Sequence, residues 1–417
     1  MYRIGKEEVE AIARLFKSGQ VFRYGQATEC DRFEKRFAEK LGVKYVRMTN
    51  SGTSALIAAL VGMGVGPGDD VIVPAYTYMA SPMAILAVGA IPIVGEVDES
   101  LTLCPRDVER RITRRTRAIM PVDMVGLACD MNALTDLARR RGVFICEDVC
   151  QAVGGSYEGR RLGSFGLASG FSFNYYKNIT AGEGGCFATD HEDVFKRGCV
   201  AVDPCSYYWA KEDEKIDMHG RFTAWNFRAT EVAGAILNVQ LNYLDEMLAK
   251  MREEKKAVTA AGVDAGLRSI INHSPDYDCG SQAGFLFETE EAAKRFIERL
   301  VKHGAGGFRP IDTGRHVYTN WDPIMSKQAA HHPALNPYLL AENRDARTDY
   351  APDMCARSLD ILSRAVLIGM HPYWPEGRLE QVAAAVEKSA RDLCGKTRKP
   401  KAARKAPRRK PKGKKRS

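Results

Sequence analysis

A chain of 417 residues, 45% hydrophobic and 27% charged, has the composition of an ordinary folded protein and the length for one large domain and a smaller one. No apolar run approaches the ~20 residues of a membrane helix, and the 11 cysteines are scattered with no CxxC pair, so reduced thiols fit better than disulfides or zinc. The net charge of +9 belongs to one end, because residues 396–417 hold thirteen Lys and Arg and no acid, leaving −4 for the rest.

The opening segment, Met1 to Glu8, does not read as a signal peptide, and a cytoplasmic protein without membrane attachment is expected. Residues 1–29 read as an N-terminal arm. From about 50 to 190, apolar strands alternate with helical patterns. The strands are 71–73, 90–94, 118–122, 143–146, 170–173 and 185–188; the helices lie near 53–63, 80–88, 105–112 and 131–141. Pro92 argues for an edge position in the second strand, and Pro105 suits the first turn of its helix. This alternation predicts an α/β fold with a mainly parallel sheet covered on both faces by helices.

Residues 230–256 predict one long helix. Beyond it come a strand at 284–287 and helices near 290–303 and 376–393. The expected division is a large α/β domain over 30–250, a small C-terminal α+β domain over 251–394, and a disordered basic tail over 395–417.

Four segments carry chemistry. Asn50 to Leu56 puts Gly52 and Thr53 at a helix start, where free N–H groups and the helix dipole favour an anion such as a phosphate. Tyr78 follows a strand end and can stack on a flat cofactor. Asp148 ends a buried strand, where a carboxylate can pair with a protonated pyridine nitrogen. Gln151, three residues on, can approach the same ring from one side. Lys177 follows an apolar strand and precedes a glycine-rich turn, which delivers one half-desolvated amine able to form an imine with an aldehyde. Each taken alone has a plainer account: an N-cap, a core aromatic, a solvated strand end. Together they sit at the ends of successive strands, and coincidence explains them poorly. Neither a GxGxxG fingerprint nor a P-loop is complete, and His331-His332 lacks metal-like spacing, so no metal site is expected.

The segments NSGTSAL (50–56), GDDVIVPAYTYMAS (68–81), CEDVCQAVGGSYEGRRLGSFG (146–166), FSFNYYKNITAGEGG (171–185) and WNFRATEVAGAI (225–236) resemble the DegT/DnrJ/StrS family of sugar aminotransferases dependent on pyridoxal 5'-phosphate (PLP), in the fold type I class. The resemblance covers roughly residues 20–390. It implies that Lys177 binds the cofactor aldehyde, Asp148 pairs with the pyridine nitrogen, and Gln151 contacts the phenolic oxygen. Tyr78 would stack on the ring, and Gly52, Thr53 and Ser172 would hold the phosphate. Asn226 would reach the phosphate from a partner subunit, which implies a homodimer with shared active sites. Arg23, Asn174 and Arg228 are the candidate substrate contacts.

The implied reaction moves an amino group from L-glutamate or L-glutamine to a keto or aldehydo sugar, nucleotide-linked sugar, sugar acid or cyclitol. Phe22-Arg23-Tyr24-Gly25 and the Asn320 to Pro333 stretch look more like the branch with non-nucleotide acceptors. Two departures touch the expected substrate space: Asp123 stands where the family often has His, and Asn174 where it often has His or another small polar residue. Relatives that replace the lysine by histidine dehydrate sugars, which is the nearest alternative. A PLP-binding regulator making nonspecific nucleic-acid contacts through the basic tail is the other.

Overall fold

The structure, a computed structural model, describes residues 4–25, 29–208 and 220–394. The basic tail therefore lies outside the described residues. Two amphipathic helices, α1 (Lys6–Ser18) and α2 (Glu29–Leu41), open the chain and turn Leu15, Phe33 and Phe37 inward. Strands and helices then alternate: β1 (Tyr45–Thr49), α3 (Gly52–Gly62), β2 (Asp70–Pro74), α4 (Ala80–Ala87), β3 (Ile91–Gly95) and α5 (Pro105–Arg111). Next come β4 (Thr116–Ile119), α6 (Met131–Arg141), β5 (Phe144–Asp148), a short hairpin of β6 (Ser156–Tyr157) and β7 (Arg160–Arg161), β8 (Ala168–Ser172), β9 (Gly185–Thr189) and α7 (Glu192–Val202).

Strands β2, β3 and β8 are buried residue for residue, as strands covered on both faces must be. Helix α3 is apolar nearly all round, and it lies buried between β8 and α7. The seven strands pair in the order β1-β9-β8-β5-β4-β2-β3. From β8 to β3 every pair is parallel, while β9 runs against both β8 and β1. The carboxyl ends of β1, β2, β4, β5 and β8 consequently share one end of the sheet. Pro92 lies in β3, at the sheet's edge, where its missing N–H leaves no ladder bond unmade.

Two readings of the sequence are corrected. Strand β1 was not among the predicted strands, because Arg47 interrupts its apolar pattern; the guanidinium lies over the Phe195 ring, 5.4 Å from its centroid. The single helix expected over 230–256 is two, α8 (Glu231–Gln240) and α9 (Leu244–Asp264). The Asn242 and Tyr243 N–H groups donate three residues back, to Val239 and Gln240, and turn the chain. Helix α9 then restarts with Asp245 and Glu246 in its first turn, where acids suit the dipole. Apolar spacing carried across this turn and hid it, since Leu241 and Leu244 are both buried.

The remaining elements are β10 (Arg268–Ser269), β11 (Gln282–Leu286), α10 (Glu290–Lys302), α11 (Asp322–Met325), α12 (Ala356–Arg364), β12 (Ala365–Gly369) and α13 (Arg378–Cys394). The three strands form an antiparallel sheet against which α9 and α10 pack, with α13 laid across both helices. A wedge of rings ties α2 to the end of β8: Phe37 meets Phe171 and Phe173 edge-on at centroid distances of 5.1 and 5.7 Å. No described helix is long and apolar enough to cross a membrane, and no described cluster of His, Cys, Asp and Glu suits a metal ion.

Candidate active site

The sheet end where these strands finish gathers the polar groups singled out from the sequence. After β1 the chain turns through Asn50 and Ser51 into α3. Ser51 caps that helix, its Oγ accepting from the Ser54 N–H at 3.1 Å, and Ser54 Oγ donates to Asn50 Oδ1 at 2.7 Å. The Gly52 and Thr53 N–H groups are among the unsatisfied donors that a helix start leaves. A side chain at position 52 has no room, since a Cβ there would sit 2.7 Å from Ser172 Cβ and 2.9 Å from Cys150 Sγ. The result is a donor cradle facing buried Ser172, on the axis of an 11-residue helix.

Asp148, at the end of β5, is buried and held from two directions. Ser81 Oγ donates to its Oδ2 at 2.6 Å, and the Cys150 N–H donates to its Oδ1 at 3.1 Å. Ser81 Oγ also lies 2.7 Å from Thr77 Oγ1, which connects the carboxylate to the segment bearing Tyr78. The Tyr78 ring is 43% exposed, an unusual amount for a ring beside buried strand ends. Gln151 accepts the Val125 N–H on Oε1 at 3.1 Å, which leaves its NH₂ as a donor.

Lys177 occupies the connection between β8 and β9. That connection is pinned by the Phe173 N–H to Gly184 O at 2.8 Å, the Tyr175 N–H to Gly182 O at 2.9 Å, and the Asn178 side-chain amide to Val153 O at 2.9 Å. Gly182, at φ +86°, takes the left-handed turn that lets the chain return. The lysine is half-buried, and its charge acts on both the Cys150 thiol and the His316 imidazole. Gly52, Cys150, Asp148, Ser81, Tyr78 and His316 thus follow one another in contact, and the charge of Lys177 acts on two of them.

His316 was missed by the sequence reading. Its ring stands 5.3 Å from the Tyr78 ring, tilted by 52°, and its backbone carbonyl accepts from the Thr77 N–H at 2.9 Å. Burial and the charge of Lys177 hold its pKa below the usual range. Ser81 was also missed. The signal available was its spacing, three residues past Tyr78 at the start of α4.

The structure keeps the other candidates apart from this set or gives them partners. Arg23 is buried in a charge cluster, with Nη1 2.7 Å from Asp31 Oδ1 and Nη2 2.8 Å from Glu34 Oε1. Arg228 donates to Asp203 Oδ2 at 2.8 Å. Asn174 donates to Glu183 Oε1 at 2.9 Å, at the mouth of the lysine loop. Asn226 is exposed, and the next residue's carbonyl accepts from the Asn50 N–H of the same chain at 2.8 Å, so the WNFR segment borders the donor cradle. Asp123, expected beside the substrate space, is 1% exposed and accepts from the Cys129 N–H at 2.9 Å. Burial raises its pKa strongly, with Glu147 and Asp148 adding to the effect.

Chemically these residues offer anion donors, a buried carboxylate, an amide donor, a ring for stacking and one amine. That set fits pyridoxal phosphate, whose phosphate, pyridine nitrogen, phenolic oxygen, flat face and aldehyde each need one of those groups.

Comparison with known proteins gives the same direction. The profile of the DegT/DnrJ/EryC1/StrS aminotransferase family matches residues 2–387. GDP-perosamine synthase of Caulobacter vibrioides is 40% identical over 222 residues, 52% of this chain and 57% of that one. The match therefore spans less than two thirds of that relative's length. L-glutamine:2-deoxy-scyllo-inosose aminotransferase of Streptomyces fradiae is 30% identical over 380 residues, 86% of this chain and 87% of that one. Among solved structures, 3-amino-5-hydroxybenzoic acid synthase superposes with a TM-score of 0.74 at 26% identity, covering 93% of this chain and 97% of that one.

Proposed function

Because the chain belongs to the DegT/DnrJ/EryC1/StrS aminotransferase family, we propose that it is a PLP-dependent aminotransferase. It moves an amino group from L-glutamate or L-glutamine to the carbonyl of a sugar, sugar acid or cyclitol. The observation that carries this reading is that the Gly52 cradle and the Asp148 carboxylate meet at Cys150, on whose thiol the charge of Lys177 acts. Names of relatives support the acceptor class: they include a GDP-perosamine synthase, a dTDP-3-amino-3,4,6-trideoxy-alpha-D-glucose transaminase and the scyllo-inosose enzyme.

When bound, PLP supplies an electron sink for the carbanion formed at the carbon bearing nitrogen. The chain's residues do the rest. The Gly52 and Thr53 N–H groups and the Ser172 hydroxyl would hold the phosphate. Asp148, fixed by Ser81 and the Cys150 N–H, keeps a proton on the pyridine nitrogen. The Gln151 NH₂ donates to the phenolic oxygen, and Tyr78 covers one face of the ring. Lys177 would hold the cofactor aldehyde, and its free amine would move the proton at the donor's α-carbon.

The working form in this reading is a homodimer. Aromatic side chains stand exposed around the site, Tyr176 at 80% with Tyr175, Phe222 and Trp225 nearby in sequence to Lys177 or Asn226, and a second copy would cover them. Asn226 then reaches the partner's phosphate cradle. The buried thiols of Cys30, Cys104, Cys129, Cys146, Cys186, Cys279 and Cys355 form no disulfide, which supports a cytoplasmic protein.

The test is turnover of purified protein with PLP, L-glutamate or L-glutamine, and a panel of keto sugars and cyclitols, read as release of the keto acid. Wild type is expected to release it, and Lys177→Ala to lose about 10³-fold or more. Undiminished turnover in that variant overturns the reading. Formation of a deoxy sugar without keto acid assigns the chain to sugar dehydration instead.

A further inference from the structure

The turn that carries Val125 is strained and clamped from two sides. Val125 stands at φ +51° and Gly126 at φ +81°, and a β-branched side chain disfavours the left-handed region. The chain stays there because both peptide groups around Val125 are held. Its N–H donates to Gln151 Oε1 at 3.1 Å, and its carbonyl accepts from Ser281 Oγ at 2.6 Å, 156 positions away in sequence. The Gly126 carbonyl accepts the Cys279 N–H at 3.1 Å. Position 126 has no room for a side chain, since a Cβ there would run into Ser281 Oγ and sit 2.8 Å from Cys279 Cβ. Residues 279 to 281 therefore lie directly on the turn.

Those residues are themselves anchored. Asp278 is fully buried; its Oδ2 meets Lys255 Nζ and accepts from Asn272 Nδ2 at 2.8 Å, and its Oδ1 accepts the Gly280 N–H at 2.8 Å. The Asp278 carbonyl accepts from Arg252 Nη1 at 3.1 Å, and the Ser281 carbonyl accepts the Met370 N–H at 2.9 Å. Helix α9 and the residue after β12 thus fix the segment before β11. That segment grips the turn, and the turn grips Gln151. Flipping the Gln151 amide would set its NH₂ against the Val125 N–H, donor against donor, so the turn decides which end of the amide is free.

We propose that Ser281 is a positioning residue for Gln151. Its hydroxyl holds the Val125 carbonyl and keeps the turn left-handed. The Val125 N–H then stays on Gln151 Oε1, and the Gln151 NH₂ stays available to the phenolic oxygen of bound PLP. The proposal rests on the reading above, in which the site holds PLP with Gln151 at that oxygen. A donor there stabilises the negative oxygen, most of all in the form of the cofactor that has lost a proton at high pH. Losing the donor raises the pH at which that proton leaves.

The test titrates the full chain with PLP bound, following the visible absorbance of the cofactor against pH, and measures PLP affinity alongside. Ser281→Ala removes the donor at the turn, and Ser281→Thr keeps a hydroxyl. Ser281→Cys keeps the size with a much weaker donor and serves where the alanine variant does not fold. Ser281→Ala is expected to raise the midpoint by about half a pH unit or more and to weaken PLP binding about three- to tenfold. Ser281→Thr is expected to stay near wild type, and Ser281→Cys to fall between. Gln151→Ala is expected to raise the midpoint at least as far, and Ser281→Ala in that background to add nothing, because two residues acting through one amide are not additive. A second readout needs no cofactor: in PLP-free protein the amides of residues 124–127 are expected to exchange with solvent about tenfold faster in Ser281→Ala. Faster exchange with the wild-type midpoint reduces Ser281 to a structural contact and overturns the proposal. Unchanged exchange overturns it too, as does a further shift when Ser281→Ala is added to Gln151→Ala. If the midpoints move as expected while wild type releases no keto acid from any donor, the aminotransferase reading fails and the positioning of Gln151 stands. A wild type that binds no PLP overturns both.

Discussion

Two clusters of buried polar groups occupy this molecule, and they are bonded in opposite ways. In the cluster around Arg23, charges face one another. Arg23 meets Asp31 and Glu34, and Glu34 also accepts the Met48 N–H at 2.7 Å and lies 3.7 Å from Arg47. Glu231 Oε1 is the exception: it is buried, accepts no hydrogen bond and has only the charge of Arg23 at 4.0 Å. At the strand ends Asp148 accepts on both oxygens, while Gln151 and His316 are each held on one side only. Gln151 is fixed by its oxygen and open at its NH₂, and His316 is fixed at Nδ1 and open at Nε2. The difference separates polar groups that shape the fold from those that await a ligand: the former are closed among themselves, the latter are oriented but unfinished.

The sharpest way to break this comparison is to exchange effects between the clusters. Asp148→Asn keeps size and the Ser81 contact but removes the negative charge opposite the pyridine nitrogen. Keto acid release is expected to fall by about 10³-fold, with thermal unfolding within a few degrees of wild type. Arg23→Ala should do the reverse. Leaving Glu34 and Glu231 buried without their cation is expected to cost about 3–5 kcal/mol of stability, read by urea unfolding. PLP affinity per folded molecule should stay within a few-fold. A large loss of stability in Asp148→Asn, or a selective loss of cofactor binding in Arg23→Ala, would show that the two clusters are not the separate devices their bonding describes.

The same contrast runs through what the sequence made legible. The strands from β2 to β9 are short apolar runs, and Lys177, Asp148 and Tyr78 follow their ends, so local pattern marked them; Gly52 follows the unpredicted β1 and was marked by the helix start instead. His316 was invisible for a plain reason: its place depends on a long connection folding back onto Thr77 and Met79, and nothing local marks that return. Arg23 looked like a substrate contact because an arginine beside aromatic residues is suggestive in one dimension. Its acids, Asp31, Glu34 and Glu231, come partly from distant sequence. Asp123 was singled out because it stands where the family often has His, beside the expected substrate space. The turn through Val125, at φ +51°, carries the chain back and buries it. Closure of a polar group is a property of the whole fold, while its position on a strand is a property of the segment.

Glu147 and Asp148 set the contrast within two adjacent residues. Alternation on β5 sends them to opposite faces. Glu147 is closed: Oε2 accepts the Gly163 N–H at 2.7 Å, and Oε1 accepts those of Phe165 and Gly166 at 2.6 and 2.7 Å. Glu147→Gln turns an NH₂ toward one of those donors, and a loss of about 1–3 kcal/mol is expected. Burial pushes the Glu147 carboxyl from 4.5 up to about 7, against the pull of the three N–H donors. A carboxyl raised in the folded state adds stability that is full below pH 4.5 and lost as pH rises through 7. The stability difference between wild type and Glu147→Gln should therefore shrink from pH 4.5 toward pH 8. A difference that grows over that range would mean that the three N–H donors outweigh burial.

Ser81 gives the smallest expected effect and the finest test. Its hydroxyl donates to Asp148 Oδ2 at 2.6 Å and touches nothing that a ligand would meet first, being buried beneath Tyr78 and bonded to Thr77. Removing one such bond costs about 1 kcal/mol. The carboxylate keeps its second anchor, the Cys150 N–H, so Ser81→Ala should fold normally. The loss should appear where the carboxylate acts: about tenfold in PLP affinity or in donor half-reaction rate, with the acceptor KM unchanged. If the cost appears in unfolding free energy instead, Asp148 is closed by its neighbours as Glu147 is, and its carboxylate is not the open half of a cofactor site.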